Sequence, residues 1–288
     1  MKSNCLILGS SGFVGSSIAK NINFKKKFKL LKYNSKNLNI LSKNKISNLF
    51  KKKLISSVVI YAAGKHRLYG DTIKIKKNNI KIFKNFLSLI DKYKPKKIIF
   101  LSTVEIYGSN KRKKKITEES KINPLNNYAG GKLIQENILK KICKKNRVDF
   151  SILRMPGVYG KCDKGISIVS KIFNSFNGKK FILNGSGNEK RDYLYIGNLI
   201  NLLFKLSTML KTPKTINVVS GKSFSINQII KIIEKKLNKK RNITFNNCSS
   251  DFKYFDLKFN VKKLKKNKLD NIIKPLNKNI SNYIKLND

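Results

Sequence analysis

The sequence is poor in the residues that usually build metal sites. Its one histidine is His66. This scarcity excludes a multi-histidine metal centre within one chain and a Cys2His2 zinc site, so we expect no metal. The four cysteines, Cys5, Cys143, Cys162 and Cys248, include no Cys-x-x-Cys pair. We therefore expect reduced, mostly buried thiols in a reducing compartment.

Acidic residues are also scarce. The chain has 64 Lys and Arg against 15 Asp and Glu, a formal charge of +49. Only 6 of the basic residues are arginine, the side chain that best reads bases and clamps phosphates. With 36 asparagines and only 4 alanines, the composition is typical of an AT-biased gene whose tolerant surface positions drifted to lysine. We favour that interpretation over a specific nucleic-acid partner, and a basic nucleic-acid-binding protein remains an alternative.

Long hydrophobic runs are missing. Apolar runs such as Ile98 to Leu101 are far shorter than the roughly 20 residues that span a bilayer. The first residues resemble a signal peptide only faintly, because Gly9, Gly12 and Gly15 interrupt the segment where an apolar stretch would continue. We therefore expect no membrane association and a cytoplasmic location.

Short apolar runs alternate with longer amphipathic segments. This alternation predicts an α/β fold, a Rossmann-type doubly wound parallel sheet with a smaller α/β C-terminal substrate lobe. We expect the dinucleotide domain at 1–160, joined by 190–212, and the interleaved lobe at 161–288. The predicted strands are Cys5–Gly9, Phe28–Tyr33, Val58–Ala62, Lys97–Ser102, Phe150–Arg154 and Phe181–Leu183. The predicted helices are Ser16–Asn21, Ile73–Tyr93, Tyr128–Cys143, Ile166–Phe176 and Ser225–Leu237.

A glycine triplet lies between the first predicted strand and the first predicted helix. Gly9, Gly12 and Gly15 have the spacing Gly-x-x-Gly-x-x-Gly. Glycines permit a tight turn and a close approach of a pyrophosphate to the backbone, while the following helix offers amide donors at its start. In this order of elements the triplet predicts dinucleotide binding rather than a structural turn.

A Tyr-x-x-x-Lys pair follows the strand that ends in Ser102 and Thr103. Tyr128 and Lys132 are four residues apart, so a helix places both side chains on one face. A lysine ammonium stabilises a phenolate and would lower the pKa of the tyrosine hydroxyl, and such a tyrosine can exchange a proton with a sugar hydroxyl. The pair alone means little in a lysine-rich chain, and its position after this strand gives it weight.

Together these segments resemble the extended short-chain dehydrogenase/reductase superfamily, specifically the NAD-dependent epimerase/dehydratase family. The resemblance covers almost the whole chain. Its further matches are Ala62-Ala63-Gly64, Leu153 to Gly160, Asn184-Gly185-Ser186-Gly187 and Arg191-Asp192-Tyr193.

The resemblance implies an NAD(P)-dependent enzyme that epimerises or reduces a nucleotide-diphosphate sugar by hydride transfer through a keto-sugar. It implies that Thr103, Tyr128 and Lys132 are catalytic and that Arg191, Glu105 and Thr103 contact the substrate. The implied cofactor contacts are Gly9, Ser11, Gly12, Phe13, Val14, Gly15, Asn34, Ser35, Lys36, Asn39, Ile40, Ala62, Ala63, Gly64, Lys132 and Pro156.

Departures from the family pattern bear on cofactor and reaction. NAD-selective members usually carry an acid after the second strand, where this chain has Asn34-Ser35-Lys36. We favour NADP over NAD, because Ser35 and Lys36 suit a 2′-phosphate; Asn34 could instead hydrogen-bond the ribose diol of NAD. The 4,6-dehydratases carry Thr-Asp-Glu where this chain has Thr103, Val104 and Glu105, so dehydration is disfavoured. Glu105 is then either a further acid/base or a structural carboxylate.

Several alternatives stay open. A non-catalytic dinucleotide-binding regulator could use the same fold, although such relatives tend to lose the tyrosine or the lysine. The family commonly forms homodimers through a four-helix bundle, to which the two longest predicted helices could contribute.

Gly157 stands where the family often has a substrate-contacting asparagine. For His66 we favour a structural role over a substrate contact.

Overall fold

A computed structural model describes residues 2–36, 53–108, 114–178, 181–240, 244–246 and 256–287. The strands are β1 Ser3–Leu8, β2 Phe28–Tyr33, β3 Val58–Tyr61, β4 Lys97–Thr103, β5 Asp149–Met155, β6 Gly157–Tyr159, β7 Ile182–Asn184, β8 Tyr193–Tyr195, β9 Thr215–Asn217 and β10 Thr244–Asn246. The α-helices are α1 Phe13–Lys20, α2 Ile22–Lys27, α3 Ile73–Leu87, α4 Asn127–Asn146, α5 Ile168–Phe176, α6 Ile196–Thr208, α7 Ile226–Leu237, α8 Lys262–Lys266 and α9 Leu276–Lys285. Short 3-10 helices cover Arg67–Tyr69, Val104–Tyr107 and Asp270–Ile272.

Six strands form the main sheet in the order β2-β1-β3-β4-β5-β9. β1 pairs in parallel with both β2 and β3, and β3 pairs in parallel with β4. All four residues of β3 and all seven of β4 are buried, as expected for parallel strands covered on both faces. The carboxyl ends of β1, β3 and β4 therefore meet at one edge, which is where ligands bind in such sheets.

The chain divides into two compact units. The first unit comprises Met1–Gly108, Ile122–Arg154 and Ile200–Ile216, and the second comprises Ser109–Lys121, Met155–Leu199 and Asn217–Asp288. In the first unit, one core packs the sheet against α3 and α4, with Phe83, Phe100 and Leu139 fully buried. The proposed boundary at residue 160 stays a prediction.

The second unit has a core of its own. Helices α5, α7 and α9 supply apolar side chains to one cluster, in which Phe173, Ile229 and Ile280 are buried. α9 presents Leu276, Ile280, Tyr283 and Ile284 to the interior. No element was predicted for this lysine- and asparagine-rich end of the chain. The apolar positions have helical spacing, but the asparagines between them are weak helix formers.

The predicted elements agree with the structure apart from their ends. β2 has exactly the predicted bounds, and Ser225 caps α7 through a reciprocal pair of hydrogen bonds with Gln228. The largest error concerns the helix predicted over Ile73–Tyr93, which ends at Leu87. The apolar spacing continues through Leu89 and Ile90, but the backbone there forms turns before β4.

Two of the four cysteines are buried, as predicted for most of them. Cys5 and Cys143 are buried free thiols, while Cys162 is exposed, and Cys248 lies outside the described residues. Within the described ranges no helix has the length and apolar character needed to cross a bilayer. Those ranges also contain no group of three or more His, Cys, Asp and Glu side chains placed to hold a metal ion.

A buried lysine connects β4 with the end of α6. The Lys97 side chain is 1% exposed, and its Nζ donates to the carbonyl oxygens of Leu206 at 2.8 Å and Met209 at 2.5 Å. Asp149 lies 3.8 Å from the same nitrogen. Burial lowers the pKa of Lys97, and Asp149 opposes that effect. The ammonium thus satisfies carbonyls that the helix end leaves without an intrahelical donor.

Replacing Lys97 with methionine should destabilise the protein. Methionine fills a similar volume but leaves the carbonyls of Leu206 and Met209 without this donor and removes the positive charge beside Asp149. We expect the free energy of unfolding in urea to fall by about 1–3 kcal/mol. Lys96→Met is the matched control, since Lys96 is the exposed neighbour. Equal stability of the two variants would show that the buried ammonium contributes nothing.

Candidate active site

The glycine loop joins β1 to α1 and is fastened to the end of β2. The backbone amides of Gly9 and Ser10 both donate to the carbonyl oxygen of Tyr33, at 2.8 and 2.9 Å. Gly12 donates to the Gly9 carbonyl and then serves as the N-cap of α1, with no side-chain hydrogen bond to the helix. Because the N-cap is a glycine, it offers no side-chain acceptor to the first amides of α1, which suits a helix start that binds an anion.

Two glycines of the loop are required by close backbone approaches. Gly9 has a φ of +93°, and a Cβ on it would lie 2.6 Å from the carbonyl oxygen of Ala62. A Cβ on Gly15 would lie 2.1 Å from the carbonyl oxygen of Gly9, so the helix packs directly on the loop. At Gly12 the nearest atom would be 3.3 Å away. This side-chain-free cradle at a helix start fits the pyrophosphate of a dinucleotide.

The neighbouring strand ends lie beside the loop. At the end of β2, the Lys36 amide donates to Asn34 Oδ1 at 2.9 Å, and Ser35 and Lys36 are exposed. At the end of β3, the Ala62 amide donates to the Leu8 carbonyl. Of the remaining predicted cofactor contacts, Ser11, Phe13 and Val14 belong to the loop and the first turn of α1, and Ala63 and Gly64 follow Ala62. Asn39 and Ile40 lie outside the described residues.

The three residues predicted to be catalytic occupy two elements that pack together. Thr103 ends β4, and Tyr128 and Lys132 lie in the first two turns of α4. Lys132 Nζ donates to the Leu101 carbonyl at 2.7 Å and lies 5.9 Å from the Tyr128 ring centroid. The helical spacing and this anchor on β4 together bring the lysine between the strand and the tyrosine.

Burial dominates the acid–base properties of the pair. It raises the pKa of Tyr128 above its usual range, and the nearby Glu105 carboxylate acts in the same direction. The direction is opposite to the lowering that we expected from Lys132. Burial also lowers the pKa of Lys132 to about 8, although the Glu136 carboxylate opposes this. At neutral pH the phenol is therefore protonated and the lysine mostly charged.

Ser102 and Thr103 are adjacent hydroxyls with different partners. Ser102 Oγ donates to Glu136 Oε1 at 2.6 Å in the buried interior. Thr103 Oγ1 accepts the Glu105 amide at 3.2 Å, which leaves its own proton for another acceptor. The geometry thus favours Thr103 over Ser102 as the hydroxyl that meets a ligand.

A buried ion pair that the sequence did not predict joins α4 to β5. Arg154 and Glu136 have side chains only 2% and 0% exposed, and Arg154 Nη2 lies 2.8 Å from Glu136 Oε2. Arg154 Nη1 donates to Tyr107 Oη at 2.8 Å. One sequence signal was available: Glu136 follows Lys132 by four residues, so it continues the helix face of Tyr128 and Lys132.

Glu105 is held by two partners on one oxygen. Arg67 Nε lies 3.2 Å from Glu105 Oε2, and Asn126 Nδ2 donates to the same atom at 2.8 Å. This arrangement favours the structural interpretation of Glu105 over a further acid/base. The His66 ring is 4.9 Å from the Tyr128 ring, centroid to centroid, and burial lowers the pKa of His66. His66 therefore packs on the predicted catalytic tyrosine.

Arg191 and Pro156 belong to the second unit. The Arg191 backbone forms a bridge with Phe224, and the buried Asp192 carboxylate accepts from Ser220 Oγ and the Gly221 amide. Burial raises the pKa of Asp192 to about 6. The aspartate beside Arg191 thus builds the turn at residues 220–221.

Gly157 shows no packing reason for lacking a side chain. It begins β6, paired in parallel with β8 at Tyr193. A Cβ added there would meet no atom within 4 Å among the described residues. An asparagine would therefore fit at this position.

Substitution of Gly15 by alanine should impair dinucleotide binding. Because the added Cβ would clash with the Gly9 backbone, the loop must move, and we expect the Kd for NADH and NADPH to rise about tenfold or more. Gly157→Ala is the control, since its Cβ would meet no atom within 4 Å among the described residues and Gly157 lies outside the glycine loop. Equal affinities of the two variants, measured by calorimetric titration, would contradict this account of the loop.

Comparisons with known proteins are consistent with this geometry. A dTDP-D-glucose 4,6-dehydratase of Dictyostelium discoideum is 31% identical over 233 residues, which cover 68% of this chain and 53% of that protein. An Escherichia coli O157:H7 N-acetyl-alpha-D-glucosaminyl-diphospho-ditrans,octacis-undecaprenol 4-epimerase is 26% identical over 262 residues, 83% of this chain and 74% of that protein. The chain thus spans about half the length of the first relative.

A solved structure shares the fold, and a family model shares the sequence pattern. The dTDP-glucose 4,6-dehydratase of Bacillus anthracis, in complex with NAD, superposes with a TM-score of 0.82 at 19% identity and covers 98% of this chain and 96% of that one. At this identity the likeness shows the fold alone, and it confirms the predicted Rossmann-type α/β class. The family model described as "NAD dependent epimerase/dehydratase family" matches residues 5–219. The chain is a member of the NAD-dependent epimerase/dehydratase family.

Proposed function

We propose that this protein is an NAD(P)-dependent epimerase or reductase of nucleotide-diphosphate sugars that acts through a keto-sugar. The observation that carries the proposal is the hydrogen bond from Lys132 to the Leu101 carbonyl, which holds the lysine near the Tyr128 ring. Leu101 lies two residues before Thr103 in β4. Both relatives described above are named for chemistry on diphosphate-linked sugars, which supports a diphosphate sugar as substrate. The Dictyostelium relative is named for a nucleotide sugar, which supports the nucleotide-linked class. Family membership supports a dinucleotide cofactor.

The residues proposed to hold the cofactor are the glycine loop, the ends of β2 and β3, and Lys132. When bound, the nicotinamide would accept a hydride from a sugar carbon or deliver one to it. The cradle of Gly9 and Gly15 and the glycine at the N-cap of α1 suit its pyrophosphate. The exposed Ser35 and Lys36, with no carboxylate beside them at the end of β2, favour NADP over NAD.

Tyr128 is the proposed acid and base. Its raised pKa keeps the phenol protonated at neutral pH, the form that donates a proton to a carbonyl oxygen when a keto-sugar is reduced. In the opposite direction the phenolate takes the proton of a sugar hydroxyl. The Lys132 charge stabilises that phenolate, and Thr103, whose oxygen already accepts the Glu105 amide, donates to the sugar oxygen.

A 4,6-dehydration is disfavoured because Val104 stands where the dehydratases carry an aspartate and has no proton to give to a leaving hydroxyl. The proposal therefore departs from the dehydratase activity named for the Dictyostelium relative. For Arg191 we propose a clamp on the diphosphate, because its guanidinium fork matches phosphate oxygens.

Replacement of Tyr128 by phenylalanine should abolish turnover of nucleotide sugars and leave dinucleotide affinity largely intact. Loss of a positioned proton donor reduces rates by about 10²–10⁴-fold. Product formation by mass spectrometry and dinucleotide titration would measure both quantities. Tyr69→Phe is the control, because Tyr69 is 63% exposed and belongs to the short helix near the site. An active Tyr128→Phe enzyme would overturn the mechanism.

A further inference from the structure

We propose that Asp71 is a positioning residue for Tyr128, acting as a clamp on the first turn of α4. The inference rests on the proposed function, because it assigns to Asp71 a role in the reaction of Tyr128. It arises from a set of hydrogen bonds between two segments 57 residues apart. Asp71 belongs to the loop between the end of β3 and α3, and Tyr128 is the second residue of α4.

The position of Tyr128 in its helix creates the requirement. The first amides of an α-helix have no carbonyl partner within the helix, and first turns fray. The position of a side chain in the first turn therefore depends on hydrogen-bond partners outside the helix that hold these backbone amides. A catalytic phenol at such a position loses its geometry if the turn opens.

Asp71 supplies that outside partner. Asp71 Oδ1 accepts the Tyr128 amide at 2.8 Å, and Oδ2 accepts the Asn127 amide at 3.2 Å. Asn127 Nδ2 in turn donates to the Asp71 carbonyl at 3.1 Å. The N-cap Asn126 takes the next amide, that of Ala129, at 2.7 Å. The three amides that open α4 are thus bound by two side chains, one of which comes from a distant loop.

The loop that carries Asp71 is itself fixed and touches the tyrosine a second time. Asn79 Oδ1 and Nδ2 bind the backbone amide and carbonyl of Lys65, each at 2.9 Å. The next residue, His66, places its ring 4.9 Å from the Tyr128 ring. The segment from Lys65 to Asp71 therefore contacts the ring of Tyr128 at one end and holds its amide at the other.

Electrostatics favour an aspartate at this place. A carboxylate at a helix start interacts favourably with the positive end of the helix dipole, and two oxygens can accept two amides at once. Asparagine retains one oxygen and therefore one of the two bonds. Alanine retains neither. The three side chains form a graded series at an exposed position, where none of them should prevent folding.

The chain offers a matched control at the other end of the same helix. Asp91 Oδ1 accepts from Lys145 Nζ at 3.3 Å and from Asn146 Nδ2 at 2.8 Å, in the last turn of α4. Asp91 is likewise exposed and comes from outside the helix. Asp91→Ala removes a comparable support of α4 without touching the turn that bears Tyr128.

The test compares Asp71→Ala, Asp71→Asn and Asp91→Ala in the full chain. For Asp71→Ala we expect kcat to fall about 10- to 100-fold, the loss typical of a slightly misplaced catalytic group. KM for the sugar and Kd for the dinucleotide should change little, and Asp71→Asn should recover most of the rate. Asp91→Ala should keep the wild-type kcat even if its Tm falls as far as that of Asp71→Ala.

Backbone hydrogen exchange provides a readout that does not need activity. In Asp71→Ala, amides in a peptide over 126–132 should exchange about tenfold faster, the effect of losing a helix cap. Wild-type exchange rates in that peptide, or equal kcat values for Asp71→Ala and Asp91→Ala, would overturn the clamp. Wild-type protein with protected amides but no turnover of any nucleotide sugar would instead count against the proposed function.

Discussion

The buried pair of Arg154 and Glu136 is the interaction on which the rest of the site depends. Removing two charges from water costs several kcal/mol per ion, and only close, fully bonded geometry offsets that cost. Here Glu136 accepts from Arg154 and from Ser102, while Arg154 also reaches Tyr107. These contacts join β4, the short helix after it, α4 and β5. Because Thr103 follows Ser102 and Lys132 precedes Glu136 by one helical turn, the pair fixes the frame in which both lie.

The architecture could be predicted from the sequence because local patterns of apolar residues and glycines determine most of its elements. Buried β-branched runs predicted β3 and β4, and the glycine spacing predicted a turn between β1 and α1. Local patterns failed where apolar spacing continues beyond the end of the helix, as after Leu87, and where asparagines, which are weak helix formers, separate the apolar positions, as in α9. In both places tertiary contacts decide where the helix begins or ends.

The site was predictable only in part, for a different reason. Motif spacing predicted Thr103, Tyr128 and Lys132. Glu136, Asp71 and Asn126 could not be predicted in this way, because each acts through a hydrogen bond to a distant part of the chain. The acid–base state of Tyr128 could not be read from Tyr-x-x-x-Lys either. It depends on burial and on Glu105, which raise the pKa that the lysine alone would lower. The motif predicts which residues are catalytic, whereas their burial and charged neighbours determine their pKa values.

The central claim is that the glycine loop and the site around Tyr128 serve a bound dinucleotide. The most direct measurement is to denature the purified protein, identify any released dinucleotide by mass spectrometry, and titrate the emptied protein with NADH and NADPH. The account predicts that a dinucleotide binds, with NADPH preferred because no carboxylate follows Tyr33 at the end of β2. Tightly held NAD would reverse the cofactor preference and indicate an epimerase that recycles its cofactor internally. Failure of both dinucleotides to bind would contradict the account.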